Sequence, residues 1–236
     1  MPPRELPRLV EEALHDMAPY DPRETLAALV RERLPLLKKQ ARSRGGAVIH
    51  RAALVCAIAG DADGSLALAA AYAKALHGYE ITSGRDDAEG PVMNVVNWTD
   101  IIADKKGRPL PFGKALDRLY AAKSDAEGGI LVIRDIYAPP AQSGDEAAVA
   151  QAKNGAYQML HDLLNDYAEK DYTPVIVMTG TAAGMEEYFK KNPGIAQYFT
   201  GPTVTAAAPP PPPPPAIDLQ APLTVGKPLQ LKKPGF

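Results

Sequence analysis

The sequence predicts an α/β domain: a parallel sheet with helices on both faces, in three layers. Three observations carry that prediction. Short apolar runs ending in glycine or a polar residue recur along the chain, as in Ala53–Ala59 before Gly60 and Val175–Thr179 before Gly180. Segments with helical spacing of apolar residues separate them, and strands separated by helices imply right-handed crossovers and a parallel sheet. Hydrophobic residues make up 46% of the 236 residues and charged residues 23%, enough apolar surface for a real core.

The elements follow in order. Leu6 to about Arg44 reads as helical and charged. Asp21-Pro22-Arg23-Glu24 is a helix start in which Asp21 caps, Pro22 sits in the first turn and Glu24 completes a capping box. Leu26, Leu29, Val30, Leu34 and Leu37 then form one apolar face, which Pro35 should kink or divide. Gly45-Gly46 ends it. The continuous apolar run Ala53–Ala59 suits a buried first strand. Gly60 to Gly64 reads as a loop, with Ser65 capping a helix through Leu68, Tyr72, Ala75 and Leu76 that Gly78 stops.

Val92–Trp98 is the second strand, with Thr99 capping a short turn. A basic loop, Lys105–Pro111, precedes a helix over Lys114–Lys123, and Gly129–Asp135 is the third strand. Pro139-Pro140 lies in a loop before a helix of about Glu146–Glu169. Val175–Thr179 is the fourth strand, a helix through Met185, Tyr188 and Phe189 follows, and Thr203–Thr205 supplies a short fifth strand. The domain organisation is therefore a helical segment over 1–50, an α/β core over 51–205 and a proline-rich extended tail over 206–236.

Composition excludes several classes of function. A formal net charge of -2 provides no basic field for nucleic acid or an anionic membrane surface. Aromatic residues, at 6%, are scattered and make no base-stacking platform. Cys56 is the single cysteine and lies in an apolar run, as a buried small hydrophobe does. The start of the chain has no signal-peptide pattern and no later segment approaches a membrane span, so the expected location is the cytoplasm. His15, His50, His77 and His161 lack metal-ligand spacing. Ser65 follows a strand and opens a helix, but Asp63-Gly64-Ser65-Leu66-Ala67 is not a Gly-x-Ser-x-Gly nucleophile turn.

A strand, a glycine-bearing loop and a helix are what a phosphate-binding loop needs, with backbone N–H groups and a lysine facing the anion. Aligning Gly60 with the first glycine puts Ser65 at the second, Leu66 at the lysine and Ala67 at the magnesium-holding hydroxyl. Asp61 and Asp63 point negative charge into the same place. Lys74 is eight residues past Leu66, about 12 Å along a helix, and cannot substitute.

Two later blocks raise a specific comparison. Gly128–Tyr137 (GGILVIRDIY) resembles the glycine-led second nucleotide strand of the AAA+ ATPase group containing the red-type Rubisco activase and the stage V sporulation ATPase. Gly184-Met185-Glu186-Glu187-Tyr188-Phe189, followed by Asn192-Pro193-Gly194, is similar to another block of that group, and the resemblance runs from about Leu14 to Val204. It implies an AAA+ core, and at the same time a loss of chemistry. Arg134 and Asp135 stand where the family has an Asp–Glu pair for magnesium and water, and Ala196, Gln197 and Tyr198 occupy the stretch of the family's arginine finger. The family's helical lid is replaced by a turn to proline, and Thr179 matches the sensor position loosely, with capping of the next turn as its expected role.

The resemblance thus implies a vestigial nucleotide site at Gly60, Gly64, Ser65, Asp135 and Thr179, with no catalytic residue, metal ligand or cofactor. A finger alone is worth about 10³–10⁵ in rate for phosphoryl transfer. The expected function is a pseudo-ATPase that serves as a scaffold, interaction or regulatory subunit, in a homo- or hetero-oligomer or beside an active AAA+ relative. An active remodelling ATPase with atypical residues, using ATP and magnesium, is the alternative, and a nucleotide sensor without hydrolysis is a third. Lys105-Lys106-Gly107-Arg108 lies near the family's pore loop, and a solvated basic turn is its bland reading.

The tail carries its own expectation. Pro209–Pro215 is expected to form a left-handed polyproline helix of about 22 Å. Beyond it, Ile217/Leu219, Leu223/Val225 and Leu229/Leu231 are apolar pairs at period two, ending near Phe236. Leu223, Val225, Leu229, Leu231 and Phe236 are the expected partner-binding residues, laid as an extended peptide on a sheet edge or in a groove of another protein.

Overall fold

A computed structural model describes residues 6–43, 54–82, 90–138, 146–165, 174–199 and 203–207. The proline run and the five tail residues expected to bind a partner lie outside the described residues, as do Gly45-Gly46 and His50. Within them the chain is an α/β fold with a parallel sheet of order β2-β3-β4-β1-β5. The strands are β1 (Cys56–Ala59), β2 (Met93–Asn97), β3 (Ile130–Arg134), β4 (Val175–Gly180) and β5 (Val204–Thr205).

Alternation along the strands sorts the side chains onto two faces. Cys56, Ile58, Ile130, Val132, Val175 and Val177 pack with α1 (Arg8–Met17) and α4 (Ala62–Gly78). Ala57, Leu131, Ile133, Ile176 and Met178 pack on the other face with α5 (Trp98–Ile102), α6 (Phe112–Asp125), α7 (Glu146–Asn165) and α8 (Ala182–Lys191). Both faces are covered, so β3 and β4 are buried almost throughout and read as continuous apolar runs. The N-terminal helices belong to the first of these clusters: Val10, Ala13 and Met17 share it with Ile58.

The N-terminal segment shows how one carboxylate organises a helix start. Asp21 is buried and accepts hydrogen bonds from the N–H groups of Thr25 (3.0 Å), Leu26 (2.7 Å) and Ala27 (3.0 Å). The predicted cap is right in its residue and wrong in its reach. The helix α2 (Thr25–Ala28) begins four residues later, so Pro22 precedes it, and Glu24 adopts a left-handed φ of 51°. Glu24 completes no capping box; its carboxylate pairs with Arg31 at 2.8 Å. A π-helical turn, Leu29–Arg33, then leads into α3 (Leu34–Ser43). Pro35 is the physical reason, since it has no N–H to return to Arg31, and a wider turn accommodates the missing bond.

Burial of Cys56 pushes its thiol pKa up to about 12, and the nearby Asp21 charge adds to the shift. Among the described residues, no helix is long and apolar enough to cross a membrane.

Candidate functional site

The carboxyl ends of the strands form the edge where α/β sheets place ligands. β1 lies inside the sheet, between β4 and β5, and a helix follows it directly, so the turn after it is the first place to look for anion binding. The predicted five-residue loop is absent. Helix α4 starts at Ala62, leaving Gly60 and Asp61 as the whole connection, and Asp61 rather than Ser65 is the cap. The Asp61 carboxylate accepts from Gly64 N–H at 2.8 Å, and its carbonyl accepts from Ser65 N–H at 3.0 Å. Ser65 is buried inside the helix, where its hydroxyl donates to the Asp61 carbonyl at 2.7 Å. The backbone decides between the two: Asp61 is still extended (φ -70°, ψ 159°) where the chain turns helical at Ala62, which leaves Ser65 inside the helix, and the carboxylate also favours the positive end of the helix dipole.

The same turn is covered by the chain itself. Past β5, Ala206 N–H donates to the Ala59 carbonyl (2.7 Å) and Ala207 N–H to the Tyr20 carbonyl (2.9 Å). This seats Ala206–Ala207 on the first turn of α4. A Cβ added at Gly64 would lie 2.1 Å from the Ala207 carbonyl oxygen, and one at Gly60 would lie 2.7 Å from that of Ala206. The glycines predicted to approach a phosphate therefore make room for backbone carbonyls. Lys74 is turned to α1, where it pairs with Asp16 (3.0 Å) and Glu12 (3.1 Å). The hydrogen bonds of those two carboxylates raise its pKa.

The second predicted group lies at the ends of β3 and β4. Arg134 closes β3 in register with Thr179, and Asp135 follows with a left-handed φ of 50°. Asp135 N–H donates to the Thr179 carbonyl (2.9 Å), while its carboxylate accepts from the Tyr137 hydroxyl (2.9 Å). That hydroxyl in turn accepts from Thr181 N–H at 2.9 Å. Thr179 lies buried within β4 and does not cap the next turn: Thr181 does, accepting from Gly184 N–H at 3.1 Å. The Tyr137 ring lies across Gly180 and Gly184, where an added Cβ would come within 2.7 and 2.5 Å of ring carbons. The Gly184 of the family-like block is explained here by room for an aromatic ring.

Gly60, Gly64, Ser65, Asp135 and Thr179 thus all fall at the carboxyl edge of the sheet, in two groups, each tied into the protein by the hydrogen bonds described above. Beside the second group, sequence reasoning missed a cavity of about 540 Å³, lined by Trp98, Tyr137, Tyr157, Tyr188, Glu187 and Lys191 among others. Asn192-Pro193-Gly194 forms part of its wall: Pro193 opens α9 (Pro193–Ala196), and the Asn192 amide donates to the Tyr188 carbonyl at 2.8 Å. Burial raises the Tyr188 hydroxyl pKa, with a smaller push from Tyr157. The three tyrosines are far apart in sequence, so only the crossovers of the fold bring them together.

The basic turn at Lys105–Arg108 is folded on itself. Asp104 accepts from Lys106 N–H (2.8 Å) and Arg108 N–H (3.0 Å) and pairs with the Arg108 guanidinium at 2.7 Å. Among the described residues no group of three or more His, Cys, Asp or Glu side chains is arranged to hold a metal ion. No protein-family model and no curated protein matches the chain.

Proposed function

We propose that the chain is a catalytically degenerate AAA+-like domain, a pseudo-ATPase that works in the cytoplasm as a scaffold, interaction or regulatory subunit. The parallel sheet supports the fold resemblance, with β1 between β4 and β5 and a helix starting directly after it. One observation carries the loss of nucleotide chemistry. The first turn of α4, where N–H groups would meet a phosphate, holds the Asp61 carboxylate on Gly64 N–H and the Ala207 carbonyl against Gly64. An incoming polyphosphate would have to displace both and then meet Asp61 and Asp63 without a lysine beside them.

The second half-site adds to this reading. Arg134 stands where a magnesium carboxylate is needed, and the Asp135 carboxylate is held by Tyr137. Function then rests on surface and tail, with Leu223, Val225, Leu229, Leu231 and Phe236 as the segment offered to a protein partner, an active AAA+ relative included. Titration calorimetry of the full chain with ATP and magnesium tests the proposal. No measurable heat of binding at millimolar nucleotide is expected. Tight, magnesium-dependent binding would overturn it in favour of an active remodelling ATPase with atypical residues.

A further inference from the structure

Strand β2 leaves an edge that the described residues do not cover. It pairs with β3 on one side, and no described strand lies on the other. Because Ile130 N–H donates to the Val92 carbonyl, and backbone direction alternates along a strand, the N–H and C=O groups of Met93 and Val95 point away from β3. The same two residues are 37% and 36% exposed, and their side chains lie on the face they share with Ile130 and Val132. Edges are normally blunted by lysine, proline or brevity. Met93–Asn97 has neither residue, whereas the opposite edge, β5, is only two residues long.

We propose that this edge takes an added strand from the chain's own C-terminal segment, Leu223–Lys227, running antiparallel to β2. Pro222 and Pro228 bracket these five residues, which equal β2 in length. Leu223 and Val225 share one face at period two and extend the apolar strip of Met93 and Val95. The reach fits. The described chain ends at Ala207, at the carboxyl end of β5, and four strand spacings put β2 about 19 Å away. Seven prolines in a polyproline helix, the number in Pro209–Pro215, would span about 22 Å. A segment crossing there arrives at the carboxyl end of β2, Ala216–Pro222 supply the slack to turn, and running back along the strand from that end gives the antiparallel sense. Tethering holds the segment at an effective concentration of about a millimolar, favouring its own β2 over that of a second copy. A partner that captures the tail competes with β2 for it. The inference does not depend on the state of the α4 site, and its test uses no nucleotide.

The experiment is amide hydrogen exchange on three proteins: the full chain, the chain ended at Ala208, and full-length Val225→Asp. Exchange at Met93 and Val95 is expected to be slower in the full chain by about fivefold, the equivalent of one net hydrogen bond per amide. Both the truncation and Val225→Asp remove that protection, and it is independent of protein concentration. Equal exchange in all three overturns the proposal, whether the edge is open or covered by residues 83–89. Protection that grows with protein concentration also overturns it, by assigning the added strand to a second copy.

Discussion

Replacing Gly64 with alanine tests whether the chain after β5 really occupies the first turn of α4. In a helix, glycine is ordinarily about 0.5–1 kcal/mol worse than alanine, so Gly64→Ala would stabilise the protein if the turn were open. The structure predicts the opposite sign. The new Cβ would meet the Ala207 carbonyl at 2.1 Å, and a backbone oxygen has no rotamer by which to move aside. Overpacking of this kind costs about 1–3 kcal/mol. The escape route is to lift Ala206–Ala207, which gives up the bonds to Ala59 and Tyr20, at about 1 kcal/mol each. Offset by the propensity gain, a net loss of about 1–2 kcal/mol is expected. For a domain of this size each kcal/mol lowers Tm by about 2–4 °C. Urea or thermal unfolding reads the change, and a second background isolates its cause. In a chain ended at Thr205 the carbonyl is gone, and Gly64→Ala is expected to become neutral or stabilising. A stabilising effect in the full chain, or the same loss in both backgrounds, would refute the seating of Ala206–Ala207 on α4.

Other outcomes follow from the same contacts. Asp21→Ala leaves three N–H groups without their buried acceptor, and a loss of about 2–3 kcal/mol is expected by urea unfolding. Tyr137→Phe keeps the ring over Gly180 and Gly184 but removes the link from Asp135 to Thr181; about 1–2 kcal/mol is expected, with an unchanged fold by circular dichroism. Cys56 should resist thiol reagents near neutral pH until the protein unfolds. Its pKa is raised on folding, so the contribution is complete below the ordinary thiol value of 9.0 and is lost as pH climbs toward about 12. Stability curves of wild type and Cys56→Ala should therefore converge in that alkaline window. Glu12 behaves in the opposite sense. Lys74 first, and then Arg8, hold its carboxyl below the usual range, so its contribution is present above that range and is lost as pH falls through the folded value. Lys74→Met should flatten the acid limb of Tm against pH.

The alternation of buried runs and helical spacing was enough to place all five strands within a few residues, because strand and helix periods are local properties of the chain. The early helix start at Asp21 shows the limit. The cap was legible in residue type, but whether its carboxylate reaches three or six residues forward depends on the turn between. Ser65 shows it again: Asp61 and Ser65 are both good caps by type, and the backbone leaving β1 decides between them. The gathering of Gly60, Gly64, Ser65, Asp135 and Thr179 at one edge follows from parallel strands, and so it was implicit in the pattern. Their occupation was not. Only tertiary structure brings Ala207 back over Gly64, sets Tyr137 between Asp135 and Thr181, and closes three distant tyrosines around one cavity. Sequence determined the parallel α/β plan and the residues available for chemistry, since those depend on period and type. The fold decided which N–H groups remain open to a ligand, since that depends on where segments some 140 residues apart come to rest.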